Sequence, residues 1–250
     1  TSDGNPLIMA NKPEAIYQIK VSLNDTHPAI WRRILVPSNT TLLKLHDILQ
    51  IVMGWKSEHL HMFIIKDMIY GDPADDEYGL MGTLDEANFK LSQVLQEEGQ
   101  KFKYEYDFGD SWYHTLLLEE ILSVEEGKNY PECVNGKRAC PPENVGGVRG
   151  YQNFLDNTRN PQDNEHDDYL AWIGEEFNPE AFELQAINNR LSKMRRGRSA
   201  QISHVWPVEE DEFNPLQLDL ESPWAKNLPE YQQALAEKLP LRRDVAVLLP

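Results

Sequence analysis

Lys101–Ile121 reads KFKYEYDFGDSWYHTLLLEEI, and the way this stretch folds decides how the rest of the chain is read. Apolar and polar residues alternate on both sides of Phe108-Gly109-Asp110, the pattern of two half-buried strands turned back on each other. The corner then displays Asp107, Asp110, Trp112 and His114 together. Two carboxylates and an imidazole are donors suited to zinc, manganese or magnesium, and a bound divalent metal would activate water for hydrolysis. The same residues also suit plain hairpin architecture, with Asp110 as the turn residue, Asp107 paired to an inward arginine such as Arg32, and His114 hydrogen-bonded in the core.

Upstream, Tyr17, Ile19, Val21 and Leu23 alternate on one face of a first strand, Asn24–Pro28 is a turn, and Ala29–Val36 reads as the returning strand. Arg32 and Arg33 fall on opposite faces of it, so one of them points inward and is expected to need a carboxylate. Thr40 or Thr41 caps a helix whose Leu42, Leu45, Leu49, Val52 and Met53 recur at helical spacing, and Gly54 stops it. His59–Lys66 reads as a strand with His59, His61, Phe63 and Ile65 on one face. His59 and His61 are thus a candidate metal pair, completed by His114 if all three imidazoles face one cavity. The alternative places one histidine on the sheet surface and the other in a hydrogen bond beside the helix. Hairpin, helix, strand is the opening order of a β-grasp sheet. The expected fold is therefore α+β, a β-grasp-like mixed sheet with packed helices, followed by an acidic C-terminal tail.

Asp67–Glu98 is strongly acidic, with a turn at Gly71-Asp72-Pro73 and a short helix expected over Leu91–Leu95, begun by Ser92. Glu126–Pro142 reads as a long polar connection that holds Cys133 and Cys140, and Pro141-Pro142 forbids regular structure there. Cys133, Cys140 and Glu143 have the chemistry of a binding rim. The cysteine spacing is not that of a zinc ribbon, and no local signature marks Cys140 as a nucleophile, so the simplest reading is two packed thiols. Gly146, Gly147 and Gly150 precede a helix from Tyr151 to about Asn157. Asn178-Pro179 reads as the start of another, with Phe182, Ala186, Ile187, Leu191 and Met194 on one stripe. Residues 1–14 read as a leader or expression scar, 15–198 as one α+β domain, and 199–250 as an acidic, proline-containing linker or tail with a short helix.

Forty-one acidic against twenty-four basic residues leave a formal net charge of −17, which disfavours bulk nucleic-acid binding while leaving room for a local basic patch. Arg190, Lys193, Arg195, Arg196 and Arg198 form the one dense basic run, which reads as the solvated last turn of a helix. No apolar run has the length of a membrane span, and no basic flank with an apolar core marks a signal peptide, so the cytoplasm is the expected location.

With YQIKVSL and PAIWRRI near the start, GW and HLHMF after the first helix, then YEYDFGDSWYHTL, CVNGKRACPPENVGG and FNPEAF, the chain resembles the plasmid pRiA4b ORF-3-like family. The likeness runs from Tyr17 to Leu191. Members of that family include transposon passenger proteins labelled resolvases, yet the chain holds neither a serine-recombinase pattern nor a helix-turn-helix signature. Asn144 stands where the family motif carries an aspartate. The resemblance implies an α+β domain and no particular activity. The leading functional expectation is a module binding a partner protein or small ligand through the DFGD hairpin and the Cys133–Gly147 loop. Trp112, Tyr113 and Tyr104 would supply contact area there, and Arg32 or Arg33 would orient an anion. A metal-dependent hydrolase or nuclease using Asp107, Asp110 and His114 is the alternative, and an acidic nucleic-acid mimic the third reading.

Overall fold

Alternation makes the strands, and one apolar helix covers them. In the computed structural model, which describes residues 15–76, 82–162, 166–174 and 177–196, the opening hairpin is β1 (Ile16–Leu23) and β2 (Ile30–Pro37). Ile19, Val21 and Leu23 of β1 are buried, with Gln18, Lys20 and Ser22 between them on the other face. Helix α1 (Leu42–Met53) follows. The Thr41 hydroxyl accepts from Lys44 N at 3.2 Å to cap its start, and Gly54, at φ +96°, ends it. Its stripe of Leu42, Leu45, Ile48, Leu49 and Val52 is at most 1% exposed, each side chain contributing about 2 kcal/mol of apolar burial.

Strands β3 (His61–Ile65), β4 (Met68–Gly71) and β5 (Leu84–Asp85) come next, then the short helix α2 (Leu91–Val94), and the DFGD hairpin follows as β6 (Lys101–Tyr106) and β7 (Trp112–Leu122). β8 (Glu132–Lys137) closes the sheet, and α3 (Gly147–Arg159), α4 (His166–Ile173) and α5 (Leu184–Arg196) complete the fold. The eight strands lie in the order β5-β4-β3-β6-β7-β1-β2-β8. Every pair is antiparallel except β4 with β5, so the sheet is mixed and the fold α+β.

Four local expectations are corrected. The strand expected over His59–Lys66 begins only at His61, because His59 belongs to the connection after α1. α2 begins at Leu91 rather than near Ser92, since the Gln93 side chain accepts from Lys90 N at 2.7 Å and fixes the first turn there. The polar connection of Glu126–Pro142 contains an edge strand, β8. Only Cys133 of that strand is buried, which is why no alternation announces it. Asn178-Pro179 does not start α5. Asn178 Oδ1 accepts from Glu180 N at 3.0 Å to make a separate turn, and Pro179 O accepts from Ala139 N at 3.1 Å, so this segment straps the loop after β8. Of the basic run, Arg195 donates to Asn129 O and Pro131 O at 3.1 and 2.7 Å, which gives it a structural task. The leader of residues 1–14 and the tail of 199–250 lie outside the described residues, as do Arg198 and the Arg196 side chain.

Candidate functional site

The DFGD corner is built by its own carboxylates. Asp107 adopts φ +59°, a conformation aspartate tolerates better than most residues. Its Oδ1 accepts from Gly109 N at 2.9 Å and Asp110 N at 3.1 Å, holding the turn. Asp110 reaches outward instead. Its Oδ2 accepts from Gly146 N at 3.1 Å, which latches the corner to the start of α3. The next residue, Gly147, has φ +66°, and a Cβ there would stand 2.5 Å from the Asp110 carbonyl oxygen, so only glycine allows this approach.

The loop from Cys133 to Gly147 is therefore packed along the hairpin. Tyr106 Oη donates to Glu143 Oε1 at 2.7 Å, and Lys56 N donates to the same oxygen at 3.0 Å. Trp55 Nε1 donates to Pro141 O at 3.0 Å. Burial, reinforced by the Glu143 carboxylate, drives the Tyr106 phenol far above its ordinary pKa. Arg32 is the inward arginine, 3% exposed, but among the described residues no carboxylate pairs with it. It donates to Val52 O, Trp31 O and Lys137 O at 2.8, 2.9 and 3.0 Å, and its Nη2 lies 3.3 Å from Cys140 Sγ. Backbone carbonyls at the end of α1 and of β8 take the role expected of Asp107. Arg33, on the opposite face, makes a two-point ion pair with Glu119 at 2.6 and 2.9 Å. Burial raises the Cys133 thiol to about 11 and the Cys140 thiol above its usual value, so neither is a ready nucleophile at neutral pH. Cys133 is held by Asn188, which accepts from its N at 2.9 Å and donates to its O at 2.8 Å.

Beside this joint lies a groove of about 420 Å³ lined by Asn144, Val145, Asp168, Tyr169 and Trp172. Asn144 takes φ +58° at its rim. The Trp172 and Phe154 ring centroids lie 6.0 Å apart in a T-shaped contact, and Trp172 still leaves 47% of itself exposed. The aromatic residues expected to make contacts are elsewhere. Trp112 and Tyr104 are core residues at 1% and 0% exposure, while Tyr113, half-buried, faces the other side of the sheet opposite Glu105.

The model of the plasmid pRiA4b ORF-3-like protein family matches residues 15–186. The chain belongs to this family. The pRiA4b ORF-3-like relatives include the uncharacterized protein y4hQ of Sinorhizobium fredii, 34% identical over 182 residues, which cover 72% of this chain and 92% of y4hQ. A crystal structure of a protein of unknown function from Methanosarcina mazei Go1 superposes with a TM-score of 0.63 at 38% identity, covering 70% of this chain and 98% of the other.

In this pRiA4b ORF-3-like chain the histidines are dispersed. His59 Nε2 lies 3.5 Å from Asp107 Oδ2. His61 Nε2 sits 3.0 Å from both Glu86 oxygens, and its ring stacks on His46 at 3.5 Å. His114 is wholly buried between Trp55 and Tyr104, and neither ring nitrogen finds a hydrogen-bond partner of normal geometry. Among the described residues no three His, Cys, Asp or Glu side chains converge as a metal would require. Of the donors expected to hold a metal, His59 lies against Asp107, His61 against Glu86 and Asp110 against Gly146 N, while His114 is enclosed in the core, so they do not converge on one ion.

The reading of the sequence missed a buried polar network between α1, Ser57 and β6. His46 Nδ1 meets Tyr104 Oη at 2.8 Å, His46 Nε2 meets Ser57 Oγ at 2.7 Å, and Gln50 Nε2 donates to Tyr104 Oη at 3.0 Å. With Gln50 donating to the phenol, satisfying every proton sends the phenolic hydrogen to Nδ1 and makes Nε2–H the donor to Ser57. That tautomer does not activate the serine. The signal was His46 itself, placed between Leu45 and Leu49 on the apolar stripe of α1. No helix among the described residues is long and apolar enough to cross a membrane.

Proposed function

We propose that the chain is a binding module that receives a basic, aromatic segment of a partner protein in the groove between α4 and the Asn144-Val145 corner. The half-exposed Trp172, next to Asp168 over that groove, is the observation that carries the reading. Its ring offers a face to a lysine or arginine, and Asp168 offers the countercharge. Among the described residues no basic side chain lines the groove. Asp167 precedes Asp168 in the first turn of α4, and the neighbouring Glu143 keeps one buried oxygen without a partner, so the local charge favours a cation. The latches from Asp110 to Gly146 and from Tyr106 to Glu143 stiffen the wall in advance, which limits the ordering cost of binding.

A phage-displayed heptapeptide library panned on the full chain tests this. Enriched peptides should combine arginine or lysine with an aromatic residue. Trp172→Ala should weaken their binding about tenfold or more, in line with loss of an interface hot spot. Enrichment of acidic or purely aliphatic peptides, or binding that Trp172→Ala leaves intact, would sink the reading.

A further inference from the structure

The outer face of the sheet, away from α1, carries a pattern invisible in the linear sequence. Residues paired across five strands form two adjacent rows. One runs Lys101, Leu117, Lys20, Arg33, Asn135, and the other Lys103, Thr115, Ser22, Trp31, Lys137. Five cations and no carboxylate occupy these ten positions, in a chain whose net charge is −17. The cations come from β1, β2, β6 and β8, far apart in sequence, so no basic run marks them.

Trp31 is the aromatic centre of this face. Lys20 Nζ and Arg33 Cζ each lie 5.3 Å from its ring centroid. Arg33 is already committed to Glu119. By contrast, Lys20, Lys101, Lys103 and Lys137 have no ion pair among the described residues. Four strand spacings separate β6 from β8, which gives the rows a span of about 19 Å. At physiological salt, charges beyond about 8 Å are largely screened. Glu119, paired with Arg33 and near enough to Lys20 to feel its charge, is a carboxylate flanking the rows, so a ligand placed over Lys101, Lys103 and Lys137 responds to these lysines more than to the distant acidic groups.

We propose that this sheet face binds single-stranded nucleic acid, one base stacking on Trp31 and the phosphates meeting Lys20, Lys101, Lys103 and Lys137. A π-face for a base beside unpaired ammonium groups is the chemistry that holds an unpaired strand. A duplex keeps its bases stacked on each other and offers Trp31 nothing. The site lies on strands and is separate from the peptide groove, so either proposal can fail without the other.

Fluorescence anisotropy with labelled oligothymidine and oligouridine of about 15 nucleotides, titrated with the full chain from about 50 mM salt upward, is the test. Four lysine–phosphate contacts predict a log–log salt slope of about −3 for a single strand. The triple variant Lys101→Gln, Lys103→Gln, Lys137→Gln should bind at least about tenfold more weakly, with a slope near −1. Trp31→Leu should lose about tenfold with the slope unchanged, because stacking releases no counterions. Circular dichroism confirms that each variant is folded, and Lys44→Glu, on α1 behind the sheet, should leave binding as it was. No anisotropy change with either oligonucleotide at low salt overturns the proposal. So does binding that the triple variant retains, or a duplex of equal length bound as tightly.

Discussion

The Tyr106 hydroxyl and the Glu143 carboxylate are joined at 2.7 Å, tying a central strand of the sheet to the proline-rich loop. Tyr106 also accepts from Glu58 N at 3.1 Å, so one phenol gathers three segments. Tyr106→Phe strips Glu143 Oε1 of one donor in a site where Oε2 already has none. The expected cost is about 1–3 kcal/mol, read as a lower urea midpoint at unchanged m-value. A midpoint equal to that of the parent protein would mean that the loop is held without this bond.

Gly147 and Gly54 both adopt positive φ, at +66° and +96°, but only Gly147 faces a steric wall. Gly54→Ala meets nothing within 4 Å and should cost only the conformational penalty, about 1 kcal/mol. Gly147→Ala adds a clash with the Asp110 carbonyl and breaks the latch between the corner and α3. It should lose at least twice as much stability as Gly54→Ala. Equal losses by urea unfolding would show that the corner moves aside freely.

The elements legible in the sequence were those with one buried face and a marked end. β1, β2, α1 and the DFGD hairpin each carry an apolar set at the right period, and Thr41 and Gly54 punctuate the helix. β8 escaped because ECVNGK buries only Cys133 and lies at an edge, where Gly136 yields space to Phe182. α4 escaped because HDDYLAWI leaves Leu170 and Trp172 exposed and buries no residue fully, so no apolar stripe announces it. In the site, the sequence singled out the DFGD hairpin and the Cys133–Gly147 loop as separate stretches, and their contact came only with the structure. Nothing local tells Asp110 to seek Gly146 N, or Arg32 to prefer backbone carbonyls.

Arg32 tests that preference. Its donors satisfy carbonyls from α1, β2 and β8 at once, a geometry set by the planar guanidinium. Arg32→Lys keeps the charge but offers one compact ammonium in place of the fork. At least one buried carbonyl then loses its donor, and the expected loss is about 2–3 kcal/mol. Arg32→Lys should also loosen β8, seen as faster amide exchange at Lys137 and Arg138. A variant as stable as the parent protein, with exchange unchanged, would contradict a positional role for the guanidinium.

His114 makes the stability of the fold sensitive to mild acid. Burial lowers its pKa from 6.5 to about 4, and the nearby Trp112 and Tyr104 backbone groups offset this only in part. Between those two values the unfolded chain binds a proton that the folded chain refuses. Stability contributed by the neutral imidazole is therefore full above 6.5 and drains away as pH falls toward 4. By pH 5 the loss from this residue alone should reach about 2 kcal/mol, before most carboxylates begin to titrate. His114→Leu removes the titration while keeping an apolar side chain among Trp55, Tyr104 and the strand neighbours. Urea midpoints at pH 7 and pH 5 should fall by clearly less in His114→Leu than in the parent protein. Parallel decreases in the two proteins would show that other groups govern the acid response.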